Sequence, residues 1–170
     1  MAVASILDRA DTYEAVMAAL PIVDFVRESN KIEGIIRDPT DAEIAAHRDF
    51  IKRKRVKVEH VAGLVSVCQP NAVLRNATTI PGVRVGNHIA PPSGPDIQAR
   101  LDLLLKRIAN DAIKPWQAHV EYETLHPFTD GNGRSGRAIW LWHMTLIGQQ
   151  QRALGLGFLH AFYYQTLAKK

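Results

Sequence analysis

Through most of this chain apolar side chains return every three or four residues, and prolines or glycines cut the rhythm into short runs. That period puts the apolar positions on one face of a helix, so the chain must bury them by packing helix against helix. Residues 11–20 are helix-compatible up to Pro21. Ile22, Phe25, Val26, Ser29, Ile32 and Glu33 then follow the helical spacing, with Gly34 placed to stop the helix. Thr40, Asp41 and Glu43 open a further helix over 42–54, with acids in its first turn and bases in its last. Val58, Val61, Leu64, Val65 and Cys68 mark another. Further helices are expected over 97–110, over 115–125 with Pro115 in the first position, over 135–147 and over 158–170. Only residues 77–92 break the pattern. Thr78, Thr79 and Ile80, then Val83, Arg84 and Val85, are β-prone runs on either side of Pro81-Gly82, which predicts a small hairpin turning there. Pro-Gly favours a type II turn, so the two arms are expected to pair loosely. The expected class is all-α with one small β-hairpin.

Length and composition narrow the setting. A chain of 170 residues suits a single domain, and 46% hydrophobic with 22% charged residues is an ordinary globular balance. A formal charge of +4 favours an acidic ligand without implying nucleic acid. Cys68 is the only cysteine, so no internal disulfide forms. Charged residues Asp8, Arg9, Asp11 and Glu14 stand where a signal peptide needs an apolar run. The most apolar stretch, AIWLWHMTLIG, falls well short of the roughly 20 residues that span a bilayer. A soluble, cytoplasmic domain is expected.

Residues 126–137 read HPFTDGNGRSGR. Gly131 to Gly136 fits the spacing of a dinucleotide fingerprint, but a helix precedes it where a strand is needed, and no acid follows at about 20 residues. A P-loop fails because Arg137-Ala138 stands in place of the lysine and hydroxyl pair, and Asp130 is the only acid toward a calcium loop. The underlying physics still applies. Glycines let the backbone approach an anion closely, and the N–H groups of the following helix point at it. Arg134 and Arg137 lie one turn apart, suited to successive phosphates. Asp130 is the carboxylate beside that site and the natural magnesium ligand. His126 titrates near neutrality and can take a proton from an attacking hydroxyl. Phe128 alternates with these polar residues as a core plug.

Together these residues match HxFx(D/E)GNGRxxR at every specified position, and the chain resembles the Fic (filamentation induced by cAMP) domain family. The resemblance extends to VRVGNHIAPP as the family's flap and proline stretch, to HVEYETLHPF as the helix feeding the motif, and to FYYQTL near the end. It implies a single Fic domain over residues 1–170, with a flap around 77–89. It also implies protein AMPylation, the transfer of AMP from Mg-ATP to a Ser, Thr or Tyr hydroxyl of a target protein with release of pyrophosphate. On that resemblance His126 is the general base and Asp130 holds Mg2+. Gly131, Asn132 and Gly133 form the anion hole, with Asn132 on the α-phosphate, and Arg134 and Arg137 hold the β- and γ-phosphates. Val83, Arg84, Val85 and Gly86 would pair with the target as an added strand, and Tyr163 would line the adenine pocket. Gly133 argues against a phosphorylating branch that has lysine there.

Ser29 to Gly34 also matches the family's inhibitory pattern [S/T]xxxE[G/N], in a helix around 22–34 upstream of the motif. In that class the glutamate, here Glu33, pairs with the second arginine, here Arg137, and blocks the γ-phosphate position. In some relatives the same glutamate orients a water that removes AMP. Net direction, nucleotide donor and assembly into a homo-oligomer therefore stay open. A non-enzymatic rival is a nucleic-acid module using Lys52, Arg53, Lys54 and Arg55, but no aromatic residues interleave there, so a charged helix end is the simpler reading. His119 and Glu123 are four apart and read as helix packing rather than a metal pair, and Trp140, Trp142 and Cys68 read as core.

Overall fold

The computed structural model describes residues 22–154. The elements run α1 (residues 22–32), α2 (Asp41–Ile51), α3 (Val58–Cys68), β1 (Arg84–Val85), β2 (His88–Ile89), α4 (Pro95–Ala109), α5 (Pro115–Leu125), α6 (Asn132–Leu146) and the short α7 (Gln150–Leu154). The two strands form an antiparallel hairpin, so the all-α class with one small β element is what the chain adopts. The helices expected at 11–20 and 158–170 lie outside the described residues. None of the described helices is long and apolar enough to cross a membrane.

Helix α6 is the axis of the bundle. Every residue from Arg134 to His143 is buried, and the helix packs against α2, α3, α4, α5 and α7. A helix buried on all sides needs apolar residues all round, and Ala138, Ile139, Trp140, Leu141 and Trp142 supply them. Trp142 meets Phe50 edge-on, with ring centroids 6.4 Å apart, and donates its indole N–H to the Arg53 carbonyl at 2.8 Å. Trp140, Trp142 and Cys68 are core, as their spacing implied.

Local signals explain most boundaries. At the end of α1, Gly34 takes φ 77°, its N–H bonds the Lys31 carbonyl, and the Ile35 N–H bonds the Asn30 carbonyl. That is the left-handed stop that glycine provides most cheaply. Helix α2 starts on a reciprocal cap, in which Thr40 Oγ1 accepts the Glu43 N–H and the Glu43 carboxylate accepts the Thr40 N–H. Pro95 and Pro115 open α4 and α5.

Two expectations need correction. The hairpin does not turn at Pro81-Gly82. Arg84 pairs with Ile89 and Val85 with His88, so the turn is Gly86-Asn87, with Gly86 at φ 57°. A tight hairpin needs a positive φ to match strand twist, and Gly86 provides it where a type II Pro-Gly turn would splay the arms. Thr78, Thr79 and Ile80 form no strand. Likewise α6 begins at Asn132 rather than 135, so the glycine-rich loop passes into helix inside the motif.

Gly136 explains how closely α5 and α6 approach. A Cβ there would run into the Glu123 carboxylate and come within 3.0 Å of the Tyr122 ring. Overpacking of this kind costs about 1–3 kcal/mol. Gly136→Ala is therefore expected to lower the unfolding free energy by that amount, read as a lower urea midpoint with an unchanged denaturant slope.

Candidate active site: a phosphate cradle between α5 and α6

The site is built where α5 ends and α6 begins. His126 caps α5 in the left-handed region at φ 49°, its N–H bonded to the Tyr122 carbonyl at 2.9 Å. A non-glycine residue there is uncommon and is kept only where its surroundings over-determine it. The following loop is clamped from both sides. The Asn132 amide accepts the Phe128 N–H at 2.9 Å and donates back to the Phe128 carbonyl at 2.8 Å. Phe128 is 1% exposed and bridges to Leu74, while the Thr129 N–H reaches the Val73 carbonyl. Ser135 Oγ donates to the Gly131 carbonyl at 2.8 Å and lies 2.7 Å from the Tyr122 hydroxyl. The Asn132 side chain is thus occupied by the loop, and what it turns toward a ligand is the backbone N–H of the first helical residue.

The N-terminus of α6 has no side-chain cap of its own and no acid in its first turn. Glu33 occupies that end instead. Its carboxylate lies against Gly133 so closely that a Cβ on that glycine would collide with Oε1. The same oxygen accepts from Arg137 Nη2 at 2.6 Å. Arg137 also donates from Nε to Ser29 Oγ at 2.8 Å and from Nη2 to the Ser29 carbonyl at 2.9 Å. The structure thus brings together Ser29, Glu33, Gly133 and Arg137. Glu33 stands just past the C-terminal end of α1, where a carboxylate is disfavoured, and against the N-terminal end of α6, where it is favoured.

Arg134 takes a different direction from Arg137. It donates to the Cys68 carbonyl and to Gln69 Oε1, both at 2.7 Å, so its charge caps the C-terminus of α3. Its Nε is buried and has no hydrogen-bond partner. Asp130 is exposed, and its Oδ1 accepts the Gly131 N–H at 2.6 Å. Among the described residues no three metal-ligating side chains gather. One outward carboxylate beside an anion site suits a magnesium ion that arrives with phosphate, since that ion commonly takes one or two carboxylates plus phosphate oxygens. His119 faces α6, with Nδ1 3.2 Å from the Gly136 carbonyl.

On the other side of His126 opens a cleft of about 560 Å³, lined by Val85, Gly86, Asn87, His88, Glu123, Thr124 and His126. His88 Nε2 lies 2.9 Å from the Thr124 carbonyl, which holds the hairpin against α5. Val85 and Gly86 of the expected flap therefore face the same space as the expected base. Arg84 lies on the paired strand, and the Val83 carbonyl accepts the Ala90 N–H. Burial pushes the His126 imidazole below its usual pKa, and the Arg75 and His88 charges act in the same direction. The lowered pKa favours the neutral ring, which can accept a proton, while a hydrogen bond to the Glu123 backbone acts the other way. Tyr163 lies outside the described residues.

Sequence reading missed two supports. Arg75, fully buried, donates to the carbonyls of Leu125 and His126 and to Pro91 and Ser93. Glu43, 1% exposed, binds both Arg37 Nη atoms and accepts from the Asn30 amide of α1 at 3.4 Å. Its only legible signal was the Thr40–Glu43 cap. Burial alone would raise the Glu43 pKa, but hydrogen bonds from Arg37 and Thr40 outweigh it and hold the carboxyl at about 2. A depressed carboxyl stabilises the fold above its unfolded pKa of about 4.3 and loses that contribution as pH falls toward the folded value. Glu43→Gln is expected to cost on the order of 2 kcal/mol at pH 7. Urea midpoints should show the gap to wild type narrowing steadily from pH 5 toward pH 2.

A model of the Fic/DOC family matches residues 44–144, a span that contains the cradle, the hairpin and α5 but ends short of α1. No curated protein matches the chain.

Proposed function

We propose, from the premise that this chain belongs to the Fic/DOC family, that it transfers AMP from ATP to a Ser, Thr or Tyr hydroxyl of a protein. Members of the family are usually enzymes that transfer nucleoside monophosphate groups. The observation that carries the finer reading is the placement of a half-buried, neutral His126 between a cleft edged by the hairpin and the uncapped end of α6. In this reading the hydroxyl oxygen attacks the α-phosphorus, and the bond from that phosphorus to the bridging oxygen breaks. Pyrophosphate leaves with the electron pair, and His126 Nε2 or Nδ1 takes the hydroxyl proton. The N–H groups at Asn132 and Gly133 face the α-phosphate oxygens, which gain charge as the bond forms. Asp130, together with the phosphates, would hold Mg2+, which would supply charge neutralisation on the leaving group. The hairpin's Val83 to Gly86 segment offers backbone to an extended target chain.

Ser29 and Glu33 make the resting state inhibited. Arg137 is the guanidinium available for a terminal phosphate, and Glu33 already holds it. Removing Glu33 leaves the buried Arg137 with its Ser29 hydrogen bonds but no carboxylate opposite its charge, so an Arg137 freed of Glu33 gains an incentive to take a phosphate. Glu33 is partly exposed, which screens the pair and makes it reversible. A second reading, AMP removal with Glu33 orienting water, is favoured by the same carboxylate's place against Gly133.

With magnesium and ATP labelled on the α-phosphate, Glu33→Gly should label itself strongly, wild type weakly, and Glu33→Gly/His126→Ala not at all. Equal labelling of the single and double variants would remove His126 from the mechanism. Because the His126 pKa is lowered, the acid limb of the Glu33→Gly rate profile should fall below pH 6.5. An acid limb centred above pH 7 would contradict the neutral resting base.

A further inference from the structure

Arg75 lies outside the motif, yet one guanidinium spans the two segments that edge the cleft. Its Nε donates to the His126 carbonyl at 2.8 Å, and Nη2 donates to the Leu125 carbonyl at 2.9 Å. Nη1 donates to the Pro91 carbonyl at 2.8 Å and to Ser93 Oγ at 3.1 Å, just after the hairpin. Ser93 Oγ in turn donates to the Pro81 carbonyl on the approach to the hairpin. The Arg75 main chain repeats the connection, with its N–H on the Pro127 carbonyl and its carbonyl accepting the Gly94 N–H.

A helix end leaves carbonyls without partners, and glycine with a left-handed turn is the usual remedy. Here the left-handed position is His126, which must carry an imidazole. Arg75 supplies the missing donors from another part of the chain. Its side chain is 0% exposed and meets backbone carbonyls and a hydroxyl rather than a carboxylate. A buried cation so arranged is expensive. That cost is hard to explain as packing alone, because an apolar side chain would fill the volume without it.

We propose that Arg75 is a positioning residue that locks the backbone of His126 and the base of the hairpin into one rigid unit, so that the proton acceptor and the target-docking edge keep a fixed separation. The proposal rests on the AMP-transfer reading for its activity readout. A lysine keeps the charge but lacks the planar fork that reaches separate acceptors. Misplacing a reacting group by about 1 Å can cost about 100-fold in rate.

The test uses Glu33→Gly protein as parent and adds Arg75→Lys, Arg75→Gln or Ser93→Ala. Self-labelling from α-labelled ATP is followed across pH and ATP concentration. Histidine-labelled NMR follows the His126 titration in the same proteins. Arg75→Lys should lower the maximal self-labelling rate by about 100-fold while half-saturating ATP stays that of the parent, since α6 is untouched. Arg75→Gln should in addition move the acid limb and the His126 titration upward, because a nearby positive charge is lost. A purely structural role would reduce the active fraction of Arg75→Lys, which keeps the charge, without changing the rate per active molecule or the His126 resonance. Ser93→Ala removes one of the two Arg75 side-chain contacts on the hairpin side and the link to Pro81, while the Nη1 bond to the Pro91 carbonyl remains, so it should lower the rate less than either Arg75 variant. If the Arg75 variants do not fold, Ser93→Ala decides, and a parental rate together with unchanged His126 and His88 resonances overturns the proposal. A folded Arg75→Lys with the parent's rate and His126 resonance also overturns it. A parent that never labels itself counts against AMP transfer, not against Arg75. The NMR comparison then carries the test, and unchanged His126 signals in folded Arg75→Lys and Arg75→Gln sink the idea.

Discussion

The N-terminus of α6 is buried at the centre of the bundle with no cap of its own, and the site is arranged around that unsatisfied end. Its N–H groups carry partial positive charge and have no partners within the helix. Nearby lie three buried guanidinium groups, those of Arg75, Arg134 and Arg137. Arg75 donates to carbonyl and hydroxyl oxygens and Arg134 to carbonyl and amide oxygens, so neither charge is cancelled by a carboxylate. The interior therefore favours an anion at one place, beside Gly133. In the resting structure the Glu33 carboxylate sits there.

The same geometry separates two tasks. Under the proposed reading, α6 and its first turn would hold phosphate, while the end of α5 presents the imidazole. The loop between them is kept short and rigid by the Asn132–Phe128 clamp and by main-chain pairing to residues 73–75. Helix α1 stands apart from the region the family model matches, and Glu33, just past its end, is the carboxylate that meets Arg137. It is tied to α2 through Asn30, Glu43 and Arg37, and to α6 through Ser29 and Glu33. Under the proposed reading, a carboxylate that competes with phosphate from a separately tethered helix would act as a two-state element. A ligand shifts it only by its differential affinity for the two states.

Local features of this fold were legible and long-range ones were not. Gly34 stops α1 as its position implied, and the spacing of Ser29 and Glu33 put both on the face that meets Arg137. Those readings need only helical geometry and a motif with fixed roles. The hairpin was misplaced because Pro81-Gly82 and Gly86-Asn87 are both turn signals, and the choice between them depends on strand twist. Arg134 and Arg137 have the same spacing to any helix wheel, yet one meets α3 and the other α1, since their partners are set by packing of distant segments. Arg75 was invisible for the same reason. The acceptors of its side chain lie up to 51 positions away, and a lone arginine in VLRNATT carries no periodic signal.

The central claim is that Glu33 withholds Arg137 from phosphate, and calorimetric titration of Mg-ATP into four proteins tests it most directly. These are wild type, Glu33→Gly, Arg137→Ala and the double variant. The account predicts that Glu33→Gly tightens ATP binding by on the order of tenfold, a coupling typical of contacting charged groups. Most of that gain should vanish when Arg137 is absent. An equal gain in the Arg137→Ala background, or no gain at all, would contradict the account and leave the Glu33–Arg137 pair as a structural contact.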